Sequence, residues 1–153
     1  MTGAAVADHA GTSDSVVVAD YDLDGFLDLL VINGLNMRPV YMGGPKQLFH
    51  NRGPAGGNTN HWMEFDLVGT TSNRDGTGSK VYVAAGGVTQ YREQNGGYHR
   101  SSQNFMRVHV GLAGNTQADT TVVWPDGSST TYASLQADHV YQLKQDGTSV
   151  QIH

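Results

Sequence analysis

The sequence predicts an all-β chain in which a small N-terminal β unit precedes an antiparallel sandwich or barrel. Apolar residues do not recur at three- and four-residue spacing over any window of about eleven residues, so amphipathic helices are not expected. Short apolar or alternating runs are instead separated by Gly, Asp and Asn, which favour turns. The 153 residues include 20 glycines and only 15% charged residues, a composition typical of a turn-rich β protein.

The predicted first unit spans residues 1–57. Its two clearest strands, residues 15–19 and 27–33, are rich in β-branched side chains and almost wholly apolar, which predicts strands covered on both faces. Residues 34–57 contain many turn formers, and only residues 47–51 are expected to add a short strand.

The predicted second unit spans residues 58–153 and begins with a strand at residues 62–68. Met63, Phe65 and Leu67 alternate there with Glu64 and Asp66, which predicts a half-buried strand with both carboxylates directed outward.

Later strands of this unit follow one another at short intervals. Gly86 and Gly87 supply the positive φ angles of a tight hairpin between residues 80–85 and 88–92. The remaining strands are predicted at residues 105–112, 120–124, 129–133, 140–144 and 149–152. Strands at this spacing without intervening helices favour a sandwich or barrel.

Charge and composition exclude several classes of partner. The net charge is −5 and the nine Lys and Arg residues are scattered, so no nucleic acid partner is expected. No apolar run approaches the roughly 18 residues of a membrane helix, so membrane insertion is not expected. Without cysteine the chain has neither disulfides nor thiolate metal sites. The first residues lack the features of a signal peptide, so we expect any export signal to lie outside this chain and the chain to be part of a longer one.

An acidic loop between the first two predicted strands has the spacing of a calcium site. Calcium prefers six to eight oxygen ligands, and carboxylates at alternate positions can converge when the chain coils around an ion. Asp20, Asp22 and Asp24 are therefore predicted ligands, with the carbonyl of Phe26 and the carboxylate of Asp28 completing the set. Four like charges within nine residues repel one another unless a cation is present, which makes calcium the expected cofactor.

The same loop departs from an EF-hand. Val31 occupies the position at which an EF-hand has its bidentate Glu, and the flanking residues are strand-like rather than helical. We therefore interpret residues 20–28 as a calcium loop between strands. The alternative is a solvated, Asp-rich turn.

Two stretches of the chain resemble known families. Residues 18–31, followed by Asn33-Gly34 and residues 47–53, closely resemble an FG-GAP/VCBS repeat, the calcium-loop blade of integrin-like β-propellers. The second part resembles the ASPIC/UnbV domain, and the matching motifs are Asn60-His61-Trp62, residues 67–70, residues 72–78, Gly96-Gly97-Tyr98 with Ser102-Gln103, Val110-Gly111-Leu112 and Trp124-Pro125-Asp126-Gly127.

The resemblance implies the last blade of a propeller followed by an ASPIC/UnbV sandwich, in a larger secreted or cell-surface protein. It implies structural calcium and a role in adhesion or ligand recognition, with a polysaccharide, a cell-surface glycan or a protein as partner. It supplies no catalytic residue, so the chain is not expected to be an enzyme by itself.

Aromatic side chains next to polar ones suggest where a carbohydrate could bind. Tyr98 is followed by polar side chains that can bind sugar hydroxyls, and Tyr91 and Trp62 are further stacking candidates. The predicted ligand-binding residues are Tyr98, His99, Arg100, Gln103, Tyr91 and Trp62. Trp124, which precedes a turn, is expected to plug the end of the sandwich. The alternative for the Tyr98 segment is a solvated loop with Tyr98 as its anchor.

Other site chemistry has less support in the sequence. The seven histidines lie far apart, with no pair spaced for one face of a strand or helix, so a transition-metal site is not expected. Glu64, Asp66 and Glu93 could serve glycoside hydrolysis only as a close pair beside a pocket, which the pattern does not indicate. Three interpretations remain: a calcium-stabilised recognition or adhesion module, a structural cap of a propeller, and an accessory module of a polysaccharide-active enzyme.

Overall fold

A computed structural model describes residues 13–33, 35–37, 40–42, 46–99 and 102–153. Within these residues the chain is almost entirely β-structure, with one 3-10 turn at Gly53–Gly56 and neither an α-helix nor a closed barrel. The strands are β1 (Ser13–Ala19), β2 (Asp28–Asn33), β3 (Leu35–Met37), β4 (Val40–Met42), β5 (Gln47–Phe49), β6 (His61–Val68), β7 (Lys80–Ala85), β8 (Val88–Glu93), β9 (Tyr98–His99), β10 (Ser102–Gln103), β11 (Val108–Ala113), β12 (Gln117–Val123), β13 (Ser129–Gln136), β14 (His139–Lys144) and β15 (Ser149–Gln151). The all-β prediction is confirmed.

The chain divides into two compact units. The first comprises Met1–Asn58 and Tyr98–Phe105, and the second comprises Thr59–Gly97 and Met106–His153. The predicted boundary near residue 57 did not anticipate that residues 98–105 group with the first unit. The described residues contain no helix that is long and apolar enough to cross a membrane.

The first unit contains a three-stranded antiparallel sheet in the order β1-β2-β5. Leu30 pairs with Val17 on one side and Leu48 on the other, so these side chains share a face. Leu30 and Leu48 are exposed on this face, and Val16 is exposed on the opposite face. The prediction that these strands are covered on both faces is therefore wrong for the described chain.

Two further hairpins belong to the described part of the first unit. Strands β3 and β4 pair with each other. The sequence did not predict them, because both are short and lie in a turn-rich segment. The hairpin of β9 and β10 lies along β1, where Asn104 Oδ1 accepts a hydrogen bond from Val18 N at 3.0 Å and Ser102 Oγ donates to Val16 O at 3.1 Å. Phe105 also donates to this edge of β1, so the strand predicted from residue 105 begins only at Val108.

The second unit is a sandwich of two four-stranded sheets, in the orders β11-β6-β14-β15 and β13-β12-β7-β8. One continuous core lies between them. It is built from alternate residues of each strand, as the period of two requires, and includes Met63, Phe65, Val83, Val122 and Leu143.

Strand β6 is more deeply buried than its alternating pattern predicts. It lies between β11 and β14 and pairs with β14 in parallel, the exception in an otherwise antiparallel sheet. Trp62, Glu64 and Val140 on the outer face are buried as fully as the core side of the sheet. The prediction of a half-buried strand is therefore wrong, because it considered the strand without its neighbours.

The hairpin of β7 and β8 forms as predicted. Ala85 pairs with Val88, and Gly86 and Gly87 adopt φ angles of 55° and 79°. Strand β8 is an edge strand, and its inward side chains cover the neighbouring edge: Gln90 Nε2 donates to Gly111 O at 2.6 Å and Arg92 Nε to His109 O at 3.3 Å. These bonds join the two sheets on one side without closing a barrel.

The opposite end of the sandwich is held by Trp124 and Gln145. Trp124 is buried in the core, as predicted, and its Nε1 donates to Thr130 Oγ1 at 3.0 Å. Gln145 Oε1 accepts hydrogen bonds from the backbone N–H groups of residues 70–72, while its Nε2 donates to Asp126 Oδ2 at 2.8 Å. The Gln145 side chain thus ties the loop after β6 to the turn that contains Asp126.

Candidate functional site

The acidic loop joins β1 to β2. Ala19 pairs with Asp28 at the end of the ladder, so Asp20 and Asp28 lie at the two stems of the loop. Gly25 adopts a φ of 87°, in agreement with its predicted role in the turn. Leu23 also has a positive φ, at 60°, which is unusual for a residue with a branched side chain.

The two stem carboxylates are almost completely buried. Asp20 is 3% exposed and accepts hydrogen bonds from Gly25 N at 2.8 Å and from Asp24 N at 3.1 Å. Asp28 is 2% exposed and accepts from Asn51 N at 2.6 Å. These bonds coil the loop around its own carboxylates, which fixes both side chains before any ligand binds.

The carboxylates converge in two overlapping groups. Asp20, Asp22 and Asp28 each offer an oxygen within 4.8 Å of the others, and Asp22, Asp24 and His50 form a second group by the same measure. Burial raises the pKa of Asp20 above its ordinary range; the hydrogen bond from Gly25 opposes this, and the nearby charge of Asp24 adds to it. The first group contains only oxygen donors, and this donor set fits a hard divalent cation such as calcium.

His50 was not among the predicted site residues. Its Nε2 lies 3.0 Å from Asp22 Oδ2 and 3.9 Å from Asp24 Oδ2, and its ring meets the edge of Tyr21 with 5.7 Å between centroids. Asp24 therefore groups with His50 rather than with Asp20 and Asp28. His50 directly follows β5, and only the pairing of β5 with β2 brings it to the loop, so local spacing could not have identified it.

Phe26 was predicted to contribute its carbonyl oxygen, and this stays a prediction. Its N–H donates to Asp24 Oδ1 at 2.9 Å, and its ring is buried. The ring lies against Gly53, where a Cβ atom would come within 2.5 Å of Phe26 Cδ2. Glycine is therefore required at position 53 for the loop to pack.

Three of the predicted ligand-binding residues lie together on the hairpin of β9 and β10. Tyr98 pairs with Gln103 across the hairpin and is 74% exposed. His99 meets Asn104, with 2.8 Å between His99 Nε2 and Asn104 Nδ2. Arg100 lies outside the described residues.

The other two predicted ligand-binding residues lie in the second unit. Trp62 is only 7% exposed and stacks on His109 with 6.5 Å between ring centroids, so its assignment to an exposed stacking surface is wrong. Tyr91 lies on β8 beside Tyr82, with 5.4 Å between ring centroids. Desolvation raises the pKa of Tyr91, and the nearby carboxylate of Glu93 raises it further.

The carboxylates considered for hydrolysis form an ion-pair network instead. Arg107 binds Asp66 through Nε and Nη2 at 3.0 and 3.1 Å, and its Nη1 reaches Glu64 Oε2 at 3.1 Å. Desolvation lowers the pKa of Arg107, but the hydrogen bonds to Asp66 and Glu64 outweigh it, so the pKa is raised overall. Glu64 lies on the outer face as predicted, but it is fully buried, so the expectation that it would be exposed there is wrong.

The described residues define an all-β chain with a β-sandwich domain. The sequence profile of the ASPIC and UnbV family matches residues 69–150, more than half of the chain, so the chain belongs to that family. No curated protein matches the chain. The matched residues do not include the acidic loop, so the resemblance of residues 18–31 to an FG-GAP/VCBS repeat stays a prediction.

Proposed function

We propose that this chain is an extracellular recognition or adhesion module whose first unit is stabilised by calcium bound at the acidic loop. The observation that carries the proposal is the convergence of Asp20, Asp22 and Asp28 within 4.8 Å, two of them almost fully buried. A cation there would offset the repulsion among these carboxylates, and the binding free energy would add to the stability of the folded loop.

The proposed ion acts structurally. The loop connects two adjacent strands of one sheet, so an ion bound there would hold the ends of β1 and β2 together. Calcium sites in extracellular modules are commonly weak, with dissociation constants of about 10⁻⁴ to 10⁻³ M, which suits surroundings rich in calcium. The ion would hold Asp22, the most exposed carboxylate of this group, in one arrangement.

Recognition is assigned to side chains outside the loop. The family is one of extracellular-type β domains, and both units expose tyrosines beside polar groups, as binding surfaces often do. We propose a polysaccharide or a cell-surface glycan or protein as partner, and a secreted or cell-surface protein as the setting.

A thermal melt with and without chelator tests the calcium site. Chelated chain is expected to melt at a lower temperature, and excess calcium should restore the midpoint, since free calcium at about 100 times its dissociation constant stabilises by about 2.7 kcal/mol. The substitution Asp22→Ala should abolish the difference. Asp75→Ala, at an exposed aspartate of the second unit, is the control and should preserve it. An unchanged midpoint after both treatments would refute the calcium proposal.

A structural role within a larger β assembly is the second candidate, and the exposed apolar residues of the first sheet favour it. This sheet exposes Val16 on one face and Leu30 and Leu48 on the other. Exposed apolar side chains on both faces are typical of a surface that another part of a protein covers. If this sheet is covered in the longer protein, the chain alone should bind a hydrophobic dye, and the double substitution Val16→Ser, Leu48→Ser should reduce that binding. Absence of dye binding by the unsubstituted chain would argue against this role.

A further inference from the structure

A straight row of side chains crosses the outer face of the sheet β13-β12-β7-β8. Tyr91 pairs with Tyr82, Tyr82 with Thr121, and Thr121 with Thr131. Directly paired residues point to the same side of a sheet, so these four residues form one line, called the tyrosine row below. Three inter-strand spacings give the row a length of about 14 Å.

The tyrosine row faces solvent. The residues that alternate with it, Val81, Val83 and Val122, point into the core and are fully buried. Tyr91 is 46% exposed and Tyr82 is 37% exposed, and their ring planes are tilted by 48° to each other. The sequence did not indicate this pairing, because it depends on the register between β7 and β8.

Half of the row is aromatic and the other half carries hydroxyl groups. Tyr91 Oη donates to Glu93 Oε2 at 3.3 Å, and Thr121 Oγ1 and Thr131 Oγ1 are hydrogen-bonded at 2.9 Å. The row therefore carries two aromatic rings at its β8 and β7 end and two threonine hydroxyl groups at its β12 and β13 end. A ligand that matches it must offer both apolar faces and polar edges.

The next row of the same face leads into a cavity. Ala84 pairs with Asp119 two residues along the strands from Tyr82 and Thr121, so both lie on the same face at about 7 Å from the row. They contribute to the lining of a cavity of about 390 Å³, together with Gly86, Asn115 and Gln117. Its lining is mainly polar, and it belongs entirely to the second unit.

The charge of this face selects among possible partners. Lys80 and Glu93 are paired in register and offset each other, and Asp119 adds a negative charge near the cavity. A face without a cluster of cations does not attract nucleic acid or an anionic polysaccharide. A face with so many hydroxyl and amide groups is also poorly suited to a wholly apolar partner.

We propose that the tyrosine row and its adjoining cavity bind an uncharged polysaccharide chain. Sugar rings stack on Tyr91 and Tyr82, while the carboxylates of Glu93 and Asp119 accept hydrogen bonds from sugar hydroxyl groups and the Thr121 hydroxyl accepts or donates them. The site rests on the proposed recognition function and assigns it to the second unit rather than to Tyr98 of the first unit.

Affinity electrophoresis of the full chain in calcium tests the site. The gels contain uncharged polysaccharides (mixed-linkage β-glucan, xylan or mannan) or, as a contrast, anionic alginate. At least one uncharged polysaccharide should retard the chain, and Tyr91→Ala should weaken the binding about tenfold, which is the upper range of one aromatic contact. Tyr82→Ala should act similarly, and Tyr98→Ala should have no effect.

A second variant distinguishes loss of the binding surface from loss of folding. Ala84→Arg leaves both tyrosines in place but projects a long side chain over the exposed face, so it should block binding while circular dichroism and the melting midpoint stay unchanged. Tyr91→Phe retains the ring and should keep most of the affinity.

Each of the following outcomes would refute the proposed binding site. If binding is lost in Tyr98→Ala but kept in Tyr91→Ala and Tyr82→Ala, recognition stands and the tyrosine row is refuted. If only alginate retards the chain, an uncharged ligand is refuted. If no polysaccharide binds, and sedimentation shows a dimer that Tyr91→Ala dissociates, the face is an interface between two copies. If neither a polysaccharide nor a second copy binds, the recognition function and the site fail together, while the calcium site is judged separately by its melts.

Discussion

His50 Nε2 lies 3.0 Å from Asp22 Oδ2, so a side chain that follows β5 reaches the acidic loop between β1 and β2. This contact gives the loop two overlapping groups of donors, one made only of carboxylates and one that includes an imidazole. The two groups favour different metals, because calcium prefers oxygen while zinc and its neighbours accept imidazole readily.

The two groups can be separated by substitution at His50. His50→Ala should leave calcium-dependent stabilisation in place, because the carboxylates of Asp20, Asp22 and Asp28 remain. Asp22→Ala removes the residue shared by both groups and should abolish it. Melting midpoints with calcium and with zinc measure the difference. If His50→Ala abolishes the calcium effect as fully as Asp22→Ala does, the carboxylate group is not the calcium site.

Gly53 should be essential for the loop, and Gly57 should not. An added Cβ at Gly53 meets the ring of Phe26 at 2.5 Å and sits at a φ of 46°, so Gly53→Ala should destabilise the first unit by about 2–4 kcal/mol. Gly57 has a φ of 87° with nothing within 4 Å of its Cβ position, so Gly57→Ala should cost about 1 kcal/mol.

Urea unfolding in the presence of calcium compares these two glycine variants, and Gly53→Ala should also weaken calcium binding because Phe26 belongs to the loop. Equal costs for both variants would contradict the packing of Phe26 against Gly53.

Arg107 should be important for the stability of the second unit. Removing its charge leaves Glu64 buried without the guanidinium at 3.1 Å, and loss of one partner of a buried ion pair typically costs about 3–5 kcal/mol. Arg107→Met should therefore destabilise strongly, and Arg107→Met combined with Glu64→Gln should recover part of the loss. The control Arg74→Met, at an exposed arginine, should be close to neutral. Urea unfolding that shows no recovery in the double variant would argue against the ion pair as the cause.

Ionised Asp126 should stabilise the second unit, so the free energy of unfolding should fall as the pH is lowered. Hydrogen bonds from Ser128, Thr71 and Gln145 hold its pKa well below the ordinary range of an aspartate. Its contribution is therefore fully present above the unfolded pKa of about 4 and is lost as the pH falls through the lower folded pKa. Asp126→Asn should be less stable than the unsubstituted chain at pH 7, and the gap should narrow in acid.

Unfolding free energies between pH 7 and pH 2 measure this effect. Asp146, whose pKa is also lowered by hydrogen bonds from Thr148, should leave some acid dependence in the variant. Asp75→Asn is the control and should follow the unsubstituted chain. A gap that stays constant with pH would show that Asp126 does not act through its ionisation.

Local patterns in the sequence were sufficient to predict strands and turns, but they did not predict how the strands pair and pack. Gly86-Gly87 predicted its hairpin because the φ requirement is set by two adjacent residues. The burial of Glu64 on the outer face was not predicted, because burial of β6 depends on β11 and β14, which are distant in sequence. His50 at the acidic loop and Tyr82 beside Tyr91 depend equally on strand register, which single-strand patterns do not encode.

Calorimetric titration of calcium into the metal-free chain tests the proposed function most directly. We predict a single class of site with a stoichiometry near unity, absent in Asp22→Ala and retained in His50→Ala, with a dissociation constant of about 10⁻⁴ to 10⁻³ M. A titration without binding heat, together with a melting midpoint that does not respond to calcium, would contradict the calcium-stabilised loop.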